Sequence, residues 1–321
     1  MISVFVHQNG ATRCVDRVEP DWLRAESEVK LWVDLSAPTK EEGTILSNVF
    51  HFHELSIEDA MSEIHHPKIE SYGSYIYAIL HGIDFKAREH AFRTQDVDFF
   101  LGPNYLVSVH PGLSRSIGKM ADMCTKNNRM LGEGADALMH RIVDSMVDNY
   151  RPEVDKLQDR LDQLEREVFG SSNRSLAKRI LDFKRDISSL RRVVQPQRDV
   201  VNRLGRREFS LISEPVSYRF RDVYDHLVRL HEEAIFLQDR ISSLLDAHLS
   251  TVSNQLNGVM KILTVITTTF MPLTFITGLY GMNVGLPLWG FSQDRVFWLL
   301  LAAMLTISGG MLVVFRKRGW L

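Results

Sequence analysis

Gly278-Leu279-Tyr280-Gly281-Met282-Asn283 stands between two apolar stretches, Ile262 to Gly281 and Val296 to Phe315, neither of which carries a charge. Each is about 20 residues long, the length an α-helix needs to cross roughly 30 Å of hydrocarbon. The chain is therefore expected to cross a membrane twice, near its C-terminal end. What precedes residue 250 reads as a soluble body attached to a small membrane anchor or pore. Lys261 precedes the first stretch and Arg316, Lys317 and Arg318 follow the second, whereas the loop between them has only Arg295, balanced by Asp294. Positive charge collects at cytoplasmic ends. Both termini are thus expected on the cytoplasmic side of the cell inner (plasma) membrane. Length alone does not separate an anchor from a pore.

A chain of 321 residues with 45% hydrophobic and 24% charged residues has room for one or two soluble domains beside the spans. Its net charge of -2 gives no reason to expect a nucleic-acid partner. The start, Met1-Ile2-Ser3-Val4-Phe5-Val6-His7, lacks a basic segment followed by an apolar core, so a cleaved signal is not expected. Cys14 and Cys124 have no metal-ligand spacing and fit a reducing compartment.

Within the first 110 residues, Lys30 to Leu35, Tyr75 to Phe85, Asp96 to Leu101 and Tyr105 to Val109 are rich in Val, Ile, Phe and Tyr, which predicts strands. Thr39 to Phe50 and Ser56 to Glu63 are expected to be helical, with Ser56 as N-cap of the second. An α/β domain follows. No Walker motif, Gly-rich phosphate loop or nucleophile elbow occurs, so nucleotide chemistry and catalytic residues are not expected.

From Ala135 the texture is helical. Pro152 to Phe169 and Ser175 to Leu204 are expected to form a hairpin turning at Gly170-Ser171-Ser172-Asn173. The acidic run Glu153, Asp155, Asp159, Asp162, Glu165 and Glu167 is expected to be a solvated face. A third helix starts near Pro215 and shows no break until Gly278, with Val223, Leu227, Leu230, Ala234, Leu237, Ile241 and Leu244 stepping by four and three as a heptad seam. Higher up, Asn257, Met260, Thr264, Thr267, Met271, Thr274 and Gly278 form a second stripe, displaced by roughly 200° at 100° per residue. These polar and small residues suit lipid poorly, while Ile262, Val265, Ile266, Phe270 and Leu273 suit lipid or the second span. The stripe fits either a tight interface of small residues or a pore lined by several copies of one helix. Pro272, which removes a bond to the Thr268 carbonyl, fits both.

Gly281-Met282-Asn283 following Phe270-Met271-Pro272-Leu273-Thr274-Phe275, with two spans and the ending Arg-Lys-Arg-Gly-Trp-Leu, resembles the CorA family of divalent-cation channels. The likeness extends to Tyr218 through His226, Leu245 through Ser250, Glu58-Asp59 and Pro67-Lys68-Ile69-Glu70. It implies an α+β membrane protein: a funnel-shaped homopentamer whose cytoplasmic α/β domain is followed by a long helical stalk continuous with the pore-lining helix. The expected segments are 1–134 (α/β), 135–214 (helical hairpin), 215–261 (stalk), 262–281 (first span), 282–295 (external loop), 296–315 (second span) and 316–321 (basic tail).

The resemblance makes Gly281, Met282 and Asn283 the selectivity filter. Asn283, Thr274 and Asn257 would face the ions, with Met260 and Leu263 as a hydrophobic constriction, beside Thr264, Thr267, Met271 and Gly278 along the pore. Asp59 of one subunit and Asp246 of its neighbour are implied to hold a regulatory cation, with Glu58 and Asp222 as helpers. The expected function is Mg²⁺ influx, with Co²⁺ and Ni²⁺ also carried, closed by cytoplasmic Mg²⁺. The loop from Val284 to Gln293 departs from the family in having no acid, and its Val-Gly-x-Pro character is similar to the zinc-transporting ZntB branch. The alternatives are therefore proton-coupled Zn²⁺ transport on the same fold, or a non-conducting membrane-tethered scaffold or metal sensor. His51-Phe52-His53 and His65-His66 do not by themselves supply a tetrahedral zinc set.

Overall fold

The computed structural model describes residues 1–24, 27–62, 66–83, 92–170, 174–282 and 292–320. It divides into two compact units, Met1–Leu244 and Leu245–Leu321.

The first unit is built on a seven-stranded mixed sheet of order β2-β1-β3-β7-β6-β5-β4. Its strands are β1 (Ile2–Gln8), β2 (Ala11–Val15), β3 (Lys30–Ser36), β4 (Lys68–Ser71), β5 (Ile76–Ile83), β6 (Thr94–Leu101) and β7 (Tyr105–His110). β3 and β7 run parallel, and the remaining neighbours are antiparallel. β5 and β7 are buried at every position, as strands covered on both faces must be. β1 and β2 were not among the expected strands. Asn9 and Gly10, at φ 52° and 77°, join them through a two-residue turn that needs positive φ at both places.

On one face of the sheet, α1 (Lys40–Asn48) and α2 (Glu54–Met61) bury Leu46, Phe50, Phe52 and Ala60 against Val33, Tyr77, Phe100 and Val107. Thr39 and Glu42 close a capping box at the start of α1. α2 begins earlier than the sequence suggests: its N-cap is His53, whose ring accepts from the Leu55 N–H, and not Ser56. Ser56 is buried inside the helix, where its hydroxyl bonds the His53 carbonyl and the Tyr75 hydroxyl. The segment following β7 supplies α3 (Arg115–Lys126), the short α4 (Arg129–Gly132) and α5 (Ala135–Asp148), and α5 packs on β3, β5, β6 and β7.

The rest of this unit is helical. α6 (Tyr150–Gly170) and α7 (Arg174–Gly205) run antiparallel, tied by Arg160 to Asp186 at 2.9 Å and by Arg179 to Glu167. The first part of α8 (Glu214–Tyr280) lies beside them and buries all seven residues of the heptad seam from Val223 to Leu244. Arg240 of α8 reaches Asp162 at 2.8 Å and Glu165 at 2.7 Å. That corrects the expectation of a solvated acidic face, because three of its carboxylates, Asp162, Glu165 and Glu167, answer cations on neighbouring helices.

The second unit contains the remainder of α8 and all of α9 (Gln293–Lys317), both long and apolar enough to cross a membrane. Phe270, Met271 and Leu305 are 60%, 71% and 67% exposed. Contiguous apolar surface on this scale belongs in lipid or against another chain. The covered residues follow a helical rhythm: Val265, Thr269, Pro272, Leu273 and Ile276 on α8, and Val296, Leu300, Met304, Ile307, Met311 and Phe315 on α9. Val265 and Leu273 thus turn inward, whereas Ile262, Ile266 and Phe270 are exposed.

Candidate functional site

Asn257, Met260, Leu263, Thr264, Thr267, Met271, Thr274 and Gly278 are all exposed on α8. At 100° per residue their stripe is centred roughly 160° from the covered stripe of Val265, Thr269, Pro272 and Ile276. The polar face therefore points away from the partner span, and a small-residue interface with α9 does not account for it. Ile262, Ile266 and Phe270 lie between the two stripes or beside them, where lipid is the suitable neighbour.

The threonines are oriented by their own helix. Thr264 Oγ1 donates to the Met260 carbonyl at 2.7 Å, and Thr274 Oγ1 to the Phe270 carbonyl at 2.9 Å. With the hydroxyl protons of Thr264 and Thr274 used internally, those two oxygens are left to act as acceptors. The face accepts hydrogen bonds and carries no charge, which suits a cation that keeps its waters. Pro272 lies within α8 and leaves the Thr268 carbonyl without its usual donor, adding one more acceptor at this depth.

α8 ends at Tyr280, and the Gly281 N–H bonds the Thr277 carbonyl at 2.8 Å. A Cβ on residue 281 would lie 2.9 Å from that same oxygen. Only glycine lets the chain leave the helix this closely. Met282 is exposed, and Asn283 lies outside the described residues.

In the first unit, Asp59 stands near the end of α2, next to the exposed Glu58. Its Oδ2 is 2.6 Å from Lys68 Nζ, which is also 3.1 Å from Glu70 Oε1. Burial alone would depress the Lys68 pKa, but the hydrogen bonds and charges of Asp59 and Glu70 raise it above the ordinary value. The Asp59 carboxylate is thus already a cation-binding group. Asp246 is exposed on the part of α8 that belongs to the second unit. Its expected pairing with Asp59 is between subunits.

Asp222 has different company within its own chain. Its carboxylate is 4.0 Å from His226 Nε2, and ligand atoms of Asp144, Asp148 and His226 all lie within 4.8 Å of one another. Burial raises the pKa of Asp144, and the charges of Asp148 and Asp222 push it further, against His226. Two carboxylates and an imidazole, with Asp222 beside the imidazole, offer hard oxygens with one borderline nitrogen, a set that fits a divalent cation. Asp144, Asp148 and His226 were not among the expected ligands. Their signal was two i, i+4 pairs, Asp144 with Asp148 on α5 and Asp222 with His226 on α8.

Comparison with known proteins bears on the family and the fold. The family model described as CorA-like Mg²⁺ transporter protein matches residues 27–317. The chain is 32% identical to the putative metal ion transporter YfjQ of Bacillus subtilis, over 90% of this chain and 89% of that one. It is 31% identical to the cobalt/magnesium transport protein CorA of Thermotoga maritima, over 92% and 85%. The zinc transport protein ZntB of Yersinia enterocolitica is also similar, 23% identical over 88% and 85%. The complete structure of the CorA magnesium transporter of Methanocaldococcus jannaschii superposes with a TM-score of 0.86, covering 100% of this chain and 99% of that one at 22% identity. It has the same architecture of soluble α/β domain, long helix and two C-terminal apolar helices. The protein is a member of the CorA-like family of divalent-cation transporters.

Proposed function

We propose that the protein is a homopentameric channel for Mg²⁺, passing Co²⁺ and Ni²⁺ as well, driven inward by the membrane potential and closed by cytoplasmic Mg²⁺ bound between subunits. The observation that carries this reading is the uncharged acceptor stripe of α8, exposed and turned away from the partner span. A plain anchor has no use for it. Five copies about an axis make it a tube of Asn and Thr oxygens with Met260 and Leu263 as the apolar constriction.

Mg²⁺ gives up its waters reluctantly. Acceptor oxygens that bind those waters select the hydrated ion without stripping it, and the lack of carboxylates lets it leave. Gly281, Met282 and Asn283 form the outer ring of this pathway. A divalent ion crossing 100 mV gains about 4.6 kcal/mol, twice the value for one charge, so influx needs neither ATP nor a catalytic residue. Residues 1–134 and 135–214 then form the cytoplasmic body, 215–261 the stalk, 262–281 and 296–315 the spans, 282–295 the outer loop and 316–321 the inner tail.

Regulation in this reading uses Asp59, Glu58 and Asp246, together with Asp222 and its neighbours Asp144, Asp148 and His226. If each of five sites contributes ~1 kcal/mol of differential binding, the total approaches the ~5.5 kcal/mol that carries a two-state equilibrium from 1:99 to 99:1. Zn²⁺ transport is the second reading, favoured by the likeness to ZntB and by the imidazole of His226.

The test is ion uptake into proteoliposomes under an inside-negative potential. Mg²⁺ uptake that is lost with Asn283→Ala, and that escapes inhibition by internal Mg²⁺ with Asp59→Asn or Asp246→Ala, supports the channel and its sensor. Zn²⁺ flux only under a proton gradient, with no Mg²⁺ flux, replaces it with the second reading. No flux of any ion from folded protein favours the scaffold.

A further inference from the structure

Lys68 is held in a geometry unlike that of an ordinary surface lysine. It opens β4, where antiparallel pairing with β5 sets it opposite Ile79, and its ammonium lies 5.6 Å from the centroid of the Tyr77 ring. Tyr77 is fixed in turn by donating its hydroxyl to the buried Asp98. The lysine stem is therefore aimed by the sheet. Its ammonium meets Asp59 at 2.6 Å and Glu70 at 3.1 Å, with the Lys68 and Asp59 side chains only 34% and 25% exposed.

We propose that Lys68 is a tethered competitor at the cation site of Asp59: its ammonium occupies the carboxylate when no divalent ion is there and sets the concentration at which one displaces it. This rests on the reading of Asp59 as a regulatory cation ligand. An ammonium and a metal ion seek the same carboxylate charge, and two cations held on one carboxylate repel each other, so each weakens the other's hold. Glu70 gives the displaced ammonium somewhere to go. It lies two residues along β4 on the same face, already in contact with Lys68, and its other oxygen is held by the Tyr72 hydroxyl at 3.0 Å. Exchange then leaves no unpaired charge behind.

The same device favours a divalent over a monovalent ion at this site. K⁺ or Na⁺ brings no more charge than the ammonium it must displace, whereas a divalent ion brings one unit more. Lys68 acts as a positioning residue, since it touches the ligand and not the permeating ion.

The experiment follows the thermal unfolding midpoint of the full-length protein in detergent against Mg²⁺ concentration, with and without KCl. Lys68→Met keeps the stem over Tyr77 and removes the charge. The Mg²⁺ concentration giving half the stabilisation is expected to fall about twofold to fivefold, the factor a partly exposed ion pair supplies, and KCl is expected to begin to compete. Glu70→Gln removes the alternative partner and is expected to raise that concentration severalfold, a readout that survives if Lys68→Met does not fold. Asp59→Asn separates the two levels. A wild-type Mg²⁺ response in Asp59→Asn overturns the reading of Asp59 itself. Loss of the response there, with unchanged midpoint concentrations in Lys68→Met or Glu70→Gln, overturns the competitor and leaves the site.

Discussion

Asp98 predicts how stability depends on pH. Its carboxyl is on β6, buried among apolar neighbours and accepting from the Tyr77 hydroxyl. Burial pushes its pKa up to about 7; the Tyr77 hydrogen bond opposes this, and the nearby charge of Asp96 adds to it. A carboxyl that is harder to ionise when folded binds more protons in the native state than in the unfolded one. Its contribution is therefore fully present below the ordinary value of 3.8 and is lost as pH rises to about 7. At about 1.4 kcal/mol per pH unit, the span between those values costs about 4 kcal/mol at neutral pH and above. Asp98→Asn keeps an oxygen for Tyr77 and cannot ionise. Urea unfolding of the full-length wild type and variant in detergent, compared across pH, is expected to show nearly equal stability at the acid end. The gap should then grow in favour of the variant and level off above pH about 7. Taking the difference removes the other titrating groups, which both proteins share. A gap that stays flat, or one that favours the wild type as pH rises, refutes the argument that a buried carboxyl is being forced to ionise.

Two further outcomes follow from single contacts. Gly281→Ala sets a Cβ 2.9 Å from the Thr277 carbonyl; relieving that steric contact, at about 1–3 kcal/mol, is expected to lower proteoliposome Mg²⁺ flux by on the order of tenfold in protein that still inserts, and full flux would refute a geometric need for glycine. Burial pushes the Cys124 thiol up to about 11 against the opposing charge of Arg141, while Cys14 is exposed; maleimide is expected to label Cys14 alone in native protein, and rapid native labelling of Cys14→Ser would contradict the packing of α3.

The parts of the structure legible in the sequence are those set by one helix or one strand at a time. Two charge-free runs of membrane length and the seam from Val223 to Leu244 are properties of single segments, and the structure shows both. β1 and β2 are marked in the sequence chiefly by the Asn9-Gly10 turn between them, the signal by which a hairpin is recognised, and β2 has no buried residue to add to it. Ser56 has the chemistry of an N-cap, but Tyr75 offers its hydroxyl a buried partner and His53 takes the cap instead. Asp162 and Glu165 face Arg240 only because α6 lies beside α8, and Asp144, Asp148 and His226 gather only because α5 does. Spacing shows which side chains share a face of a helix, and says nothing of what that face meets.

The two sets of candidate residues differ in charge, and the difference suits two different tasks. Along α8 the oxygens are hydroxyls and amides, with hydroxyl protons of Thr264 and Thr274 committed to their own backbone. Such groups hold a hydrated ion weakly, as a pathway must if the ion is to leave. In the first unit the oxygens are carboxylates, gathered with His226 at Asp144 and Asp148 and paired with a lysine at Asp59. Crowding makes the empty site costly, which gives a bound cation a large differential effect on the state it favours. In the proposed channel, carboxylates along the pathway would trap the ion, and hydroxyls in place of the proposed sensor's carboxylates would remove the penalty that makes binding a signal. The proposed pair of tasks therefore calls for charged and uncharged oxygens in separate segments, and in this sequence the candidate residues of the two kinds fall at 58–246 and at 257–278.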